Sequence, residues 1–255
     1  MSRKKSVFQA LALMALTFTA YADPSAGRGT WETTLQARDL NGDGNSDAFY
    51  DTELNITWLR DWNYANGSDF GSTWGNNGRM DSSEAQLWIN NLKVGSFGGW
   101  RLPKMVDTGE IDCVGFGNGG TDCGYNVQTK EGSYIFSELA HMYYVTLANN
   151  AYWLPNSNAA PPDFGLANTA NFDNMKSFSY WFGVGYISNP RIRWSFDNTD
   201  GLQWPRDDWQ GFYVIPVHDG DIGTSLAVPE PETYITLTCG LIFIALRRAR
   251  TSKRM

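Results

Sequence analysis

All eleven tryptophans of this 255-residue chain lie between Trp31 and Trp209. They share that stretch with many glycines, asparagines and aspartates, so large rings alternate with turn-forming residues. The pattern predicts short strands joined by long polar loops around an aromatic core. No internal repeat with a period of about 20–50 residues is apparent, so one domain is expected rather than an array.

Both ends of the chain read as processing signals. Arg3, Lys4 and Lys5 precede a mostly apolar run from Val7 to Phe18, and Ala20-Tyr21-Ala22 follows. This is the layout of a signal peptide over residues 1–22, cut by signal peptidase. At the other end, Pro229-Glu230-Pro231 leads into 13 largely apolar positions from Tyr234 to Leu246, then Arg247, Arg248, Arg250, Lys253 and Arg254. A membrane-spanning helix takes about 20 residues. The run reaches that length by recruiting Glu232, Thr233 and the snorkelling stem of Arg247. A C-terminal hydrophobic helix is expected, with its basic end on the cytoplasmic side.

The order Pro229-Glu230-Pro231, apolar helix and basic cluster resembles the PEP-CTERM sorting signal, over residues 228–254. The resemblance implies a Gram-negative bacterium and recognition by an exosortase. It also implies an inner-membrane sorting intermediate, then the cell surface or an extracellular matrix containing exopolysaccharide.

Without these ends, residues 23–228 carry 12 basic and 25 acidic side chains, a net charge of −13. So acidic a surface disfavours nucleic acid and anionic membrane faces as partners. It suits a divalent cation or a neutral glycan better. About 200 residues are enough for one domain with its own core.

Local signals place the elements. Asp81, with Glu84 three residues on, forms a capping box. Ala85, Trp88, Ile89 and Leu92 then recur at helical spacing up to Gly95. Ser137 caps a second helix, predicted over residues 137–147. His141 lies on it and reads as a surface or core-edge histidine. Residues 48–50 and 55–59 read as a hairpin with Tyr50, Ile56 and Trp58 facing inward. Residues 180–184 and 192–196 read as strands. Asn198-Thr199-Asp200-Gly201 turns the chain into residues 202–204, and residues 211–217 form a final strand. Two helices among short antiparallel strands indicate an α+β fold. The expected division is a lead-in and acidic loop over 23–47, a domain over 48–221, a linker over 222–228 and the sorting segment over 229–255.

Several of these segments go together. Leu54-Asn55-Ile56-Thr57-Trp58-Leu59-Arg60-Asp61 precedes Gly99-Trp100-Arg101-Leu102-Pro103, and Ser137-Glu138-Leu139 opens the second helix. Gly211-Phe212-Tyr213-Val214-Ile215-Pro216-Val217 closes the series, followed by Asp219-Gly220-Asp221. The series resembles the Lcl C-terminal domain family, over roughly residues 48–221. The resemblance implies a compact fold related to C-type-lectin-like and sulfatase-modifying-factor domains, in surface or secreted proteins associated with adhesion and glycosaminoglycan binding. This chain departs at Ile215-Pro216-Val217, where the family often carries Val-Arg-Pro. Its acidic face does not suit a sulfated glycan.

Candidate chemistry is sparse. Asp39, Asn41, Asp43, Asn45 and Asp47 match positions 1, 3, 5, 7 and 9 of a calcium loop, with Gly44 at position 6. Position 12 falls on Tyr50, which supplies no bidentate carboxylate, and Asp51 is the nearest substitute. Two readings are open, a Ca²⁺ loop and a bare Asx-rich turn. Trp62, Trp74, Trp153, Trp204 and Trp209 lie outside the predicted packed faces and are candidates for a sugar-stacking platform. Cys113 and Cys123 close a glycine-rich loop, and in an exported protein they are expected to form a disulfide. A redox pair lacks the tight CxxC spacing, and two cysteines are too few for a structural metal. No serine elbow, Walker loop, HExxH or Cys/His nucleophile pattern appears. The expectation is a structural or adhesive envelope protein and not an enzyme. A glycan-binding module and an enzyme of the formylglycine-generating type are the alternatives.

Overall fold

The computed structural model describes residues 27–109, 120, 122–155, 157 and 159–226. The expected signal peptide over residues 1–22, Cys113, and the expected sorting residues Pro229, Glu230 and Pro231 with the apolar run behind them lie outside the described residues. Among the described residues no helix is long and apolar enough to cross a membrane.

The fold is α+β and mostly sheet. The first part comprises α1 (Trp31–Thr34), β1 (Leu35–Asp39), β2 (Ala48–Asp51), β3 (Ile56–Leu59), β4 (Arg79–Met80) and α2 (Ser82–Asn91). The middle holds β5 (Lys130–Glu131), β6 (Tyr134–Ile135) and α3 (Glu138–His141), which runs on into a π turn, Met142–Thr146. The last part comprises β7 (Ser179–Gly185), β8 (Ile192–Asp197), β9 (Leu202–Asp207), β10 (Phe212–Tyr213), β11 (Val217–Asp219) and β12 (Thr224–Ser225).

Among the described residues the strands form two five-stranded sheets, β11-β3-β2-β1-β12 and β4-β10-β7-β8-β9, and a two-stranded β5-β6 ladder. All pairs in the first sheet are antiparallel, and in the second β10 runs parallel to β7.

Local chemistry sets the elements where it was expected to. The Asp81 carboxylate accepts from the amides of Ser83 and Glu84, and Glu84 reaches back to the Asp81 amide. α2 then buries Ala85, Trp88 and Ile89. Ser137 accepts from the Ala140 amide and starts α3. The turn after Asp197 brings Leu202 opposite it, so β8 and β9 form the predicted hairpin.

Four expectations are corrected. Tyr50 does not face inward with Trp58. The register pairs Phe49 with Trp58 and Tyr50 with Thr57, so alternation turns Tyr50 to the opposite face. The predicted strand over 211–217 is two strands. β10 joins the second sheet and β11 the first, with Val214-Ile215-Pro216 crossing between them. The lead-in is part of the first sheet, because β1 lies between β2 and β12. The linker is not free of the domain either, since Ser225 pairs with Arg38 and Thr224 with Asp39.

The core lies between the sheets. Trp58 of β3 stacks on Trp62 with centroids 5.6 Å apart and planes 14° apart. Trp62 meets Phe172 at 5.4 Å and Tyr180 of β7 at 5.3 Å, both edge-on. Trp181 of β7 packs on Phe212 of β10 at 4.4 Å and donates to the Met80 carbonyl at 2.9 Å. Each buried indole N–H that finds an acceptor avoids the cost of an unmade bond.

Candidate functional site

The segment Trp100-Arg101-Leu102-Pro103 ties the two sheets together. Arg101 and Val217 of β11 exchange backbone hydrogen bonds, each 2.9 Å, and the Pro103 carbonyl accepts from the Gly183 amide of β7 at 2.8 Å. Trp100 and Leu102 are buried. The Arg101 guanidinium donates to both oxygens of Glu138, at 2.9 and 2.8 Å, and to Asp219 at 2.8 and 2.6 Å. Burial works against its charge, but the bonds and charges of Glu138 and Asp219 prevail, so its pKa lies above the ordinary value. The same bonds hold the Asp219 carboxyl below its ordinary value. An open groove of about 360 Å³ runs past Arg101, Lys104, Glu138 and Asp219. Its charges are paired with one another, which makes it a structural joint.

A second polar cluster was not legible in the sequence. His141 is 3% exposed, so it belongs to the core and not to a surface or core edge. Its Nε2 lies 2.8 Å from the carboxylate of Glu53, 88 residues earlier. Asp51 is fully buried nearby, and desolvation raises its pKa despite bonds from Leu54 and Glu53 amides and the pull of His141. The Asp51 oxygens accept from Glu53 N, Leu54 N and Trp58 Nε1. They are therefore turned into the hairpin, and Asp51 cannot complete the calcium loop.

The acidic loop is held by its own backbone. Asp39 accepts from the amides of Asn41, Gly42 and Gly44 at 3.0, 2.6 and 2.8 Å. Hydrogen bonds from Gly44 foremost, then Gly42 and Asn41, outweigh its burial and keep its carboxyl below the ordinary value. Asn41 accepts from Asp43 N, Asp43 from Asn45 N, and Asp47 from Leu40 N. The bonds from Asn41 N, Asp43 N and Asn45 N are successive Asx turns, and the Asp47 bond closes the loop. Among the described residues no group of three or more His, Cys, Asp or Glu side chains is arranged to hold a metal ion.

The five candidate tryptophans do not form one platform. Trp62 is 1% exposed and central to the core, so it offers no face to a sugar. The segment after β3 reads as loop, but its isolated bridge from Asp61 to Asp173 pulls the ring inward. Trp74 is half-buried, lying against the backbone of Gly211 and beneath the Arg79 guanidinium at 5.0 Å. Trp204 is half-buried on β9. Trp209 is 61% exposed.

Trp153 belongs to a different group. Tyr152 stands edge-on to Trp153 at 5.1 Å and to Phe164 at 5.0 Å, and Tyr125 lies 6.4 Å from Tyr152. Tyr152 and Phe164 are 37% and 40% exposed. The Tyr125 hydroxyl donates to Asp200 at 3.0 Å, and the Tyr152 amide to the Asp200 carbonyl at 2.8 Å. Desolvation raises the pKa of the Asp200 carboxyl. Next to this aromatic edge is an open groove of about 350 Å³ that includes Asn126, Thr129, Tyr144, Asn149, Asn150 and Leu154. A count of tryptophans alone passes over Tyr152 and Phe164. The adjacent rings Tyr152-Trp153 in a polar loop are the signal that points to them.

Cys123 is buried. Its expected partner Cys113 lies outside the described residues. Comparisons of the chain with known protein families, curated proteins and solved structures find no match.

Proposed function

We propose that this chain is an exported protein of a Gram-negative cell envelope or extracellular matrix, with a structural and adhesive role. The observation that carries the reading is the aromatic edge of exposed Tyr152 and Phe164 with half-buried Trp153, on a strongly acidic domain whose Arg101 is engaged in ion pairs. Such an edge stacks on apolar sugar faces in the surrounding exopolysaccharide. The signal-peptide pattern, the resemblance of residues 228–254 to the PEP-CTERM signal and that of residues 48–221 to the Lcl C-terminal domain support export, exosortase sorting and a lectin-like fold. A Cys113–Cys123 disulfide fits the oxidising location.

Fractionation of cells carrying an epitope-tagged chain tests this reading. The tag is expected in the surface or matrix fraction. Replacing Pro229, Glu230 and Pro231 with alanine should hold the chain in the inner membrane. Recovery of the unaltered chain in the cytoplasm overturns the proposal.

A further inference from the structure

The groove beside Tyr152 has a lining unlike the rest of the domain. No charged side chain is among its described lining residues, although the exported part of the chain has 25 acidic residues. The neighbouring carboxylates are committed elsewhere. Asp163 is bound by Arg28 at 3.2 Å and by the Asn150 amide at 2.9 Å, and Asp200 by Tyr125 and the Leu202 amide. The groove wall is set by inward bonds. Asn149 donates to the Asn168 carbonyl at 2.9 Å and accepts from the amides of Ala167 and Asn168. The Tyr144 hydroxyl donates to the Gly201 carbonyl. Asn126 donates to the carbonyl of Trp153 at 2.6 Å, which joins the groove to the aromatic edge. Asn150 spends its amide nitrogen on Asp163, which leaves its carboxamide oxygen as an acceptor, and Thr129 adds a hydroxyl.

We infer that this groove is a subsite for an uncharged, hydroxylated sugar unit of a polysaccharide, a neutral hexose or N-acetylhexosamine, with the half-buried Tyr144 ring in its wall. The volume is at the low end of small-molecule sites, about 300–1,000 Å³, and has room for one or two sugar rings. A sugar offers apolar C–H faces to a ring and hydroxyls to neutral partners. An anionic sugar meets the field of a domain with net charge −13 and no cation in the lining. A cationic sugar finds no carboxylate there. Fixed walls reduce the ordering cost of binding. This inference rests on the adhesive reading above and specifies its ligand.

The test is affinity electrophoresis of the full chain in a zwitterionic, sugar-free detergent. The gels contain dextran, galactomannan or chitin oligomers as neutral probes, alginate and heparin as anionic ones, and chitosan as the cationic one. Retardation by at least one neutral probe is expected, weakened about tenfold or more by Asn150→Ala, which removes the free carboxamide acceptor from the lining. Thr129→Val, which removes the hydroxyl at constant volume, should weaken it in the same direction, while Trp209→Ala leaves it unchanged. Retardation only by charged probes, by none, or through Trp209 alone overturns the inference. Adhesion of the full chain to isolated native matrix separates the two levels. If adhesion persists without neutral-probe retardation, only the subsite fails. If adhesion is absent, the adhesive reading fails as well.

Discussion

The guanidinium of Arg101 meets the carboxylate of Glu138 through two parallel bonds, Nη1 to Oε2 at 2.9 Å and Nη2 to Oε1 at 2.8 Å. Glu138 opens α3 and also accepts from the Lys104 amide at 2.7 Å. Arg101 is hydrogen-bonded to β11 through its backbone. One ion pair thus joins the first sheet to the helical segment. Removing Arg101 leaves the buried Glu138 carboxylate without a counter-ion, whereas removing the Glu138 charge leaves Arg101 still bound to Asp219. Arg101→Met is expected to cost about 3–5 kcal/mol, read from urea unfolding, and more than Glu138→Gln, in which Arg101 keeps Asp219. Arg101→Lys should recover only part of this, because an ammonium cannot reproduce the planar fork.

Asp219 gives the acid limb of stability a defined sign. Arg101 hydrogen bonding holds its carboxyl below the ordinary value of 3.8. The stabilisation is therefore present above that value and is lost as pH falls through the lowered one. Asp51 and Asp200 run the other way, since desolvation raises them. Their protonated forms favour the fold at low pH, and that contribution is lost as pH rises through their raised values. Comparing parent with Asp219→Asn isolates the first effect. The gap in urea midpoint should be wide near about pH 6 and close near about pH 2.

Trp62 and Trp209 should separate cleanly. Trp62→Ala opens a cavity against Trp58, Phe172 and Tyr180 and is expected to cost about 3–5 kcal/mol. Trp209→Ala should stay within about 0.5 kcal/mol, as for an exposed site. Thermal unfolding of both variants checks the contrast.

Gly211 lets the Trp74 ring lie flat on the backbone. A Cβ built there would stand 2.2 Å from Trp74 Cδ2 and 2.3 Å from Cε2. Gly211→Ala is expected to cost about 1–3 kcal/mol through overpacking. Adding Trp74→Ala should relieve the clash, so a double-mutant cycle gives a non-additive result. Additive costs would show that the ring does not rest there.

Asp39 organises the acidic loop through three backbone amides. Asp39→Ala should lower the unfolding midpoint equally with and without Ca²⁺ if the loop is an Asx-rich turn. A calcium-dependent rise in the parent that the variant lacks would assign the loop to the ion.

Wherever a contact spans a few residues, the sequence alone determined the outcome. The Asp81–Glu84 capping box, the Ser137 cap and the turn after Asp197 each join groups close along the chain, and the chemistry of a few side chains fixes them. Net charge and the absence of known catalytic motifs are also read directly. Other features were decided only in three dimensions. Residues 211–217 carry one continuous strand-like pattern, yet β10 finds a vacancy beside β7 and β11 one beside β3. Alternation alone did not tell which side of β2 is inner, and the pairing of Phe49 with Trp58 settled it against Tyr50. Trp62 reads as a loop residue and becomes the centre of the core. Glu53 and His141 have no local reason to meet. The physical cause is common to all four. Side-chain type fixes a preference for burial or pairing, but the partner is supplied by packing between segments far apart in the chain. That packing also set the uncharged groove beside Tyr152 apart from the acidic surface around it.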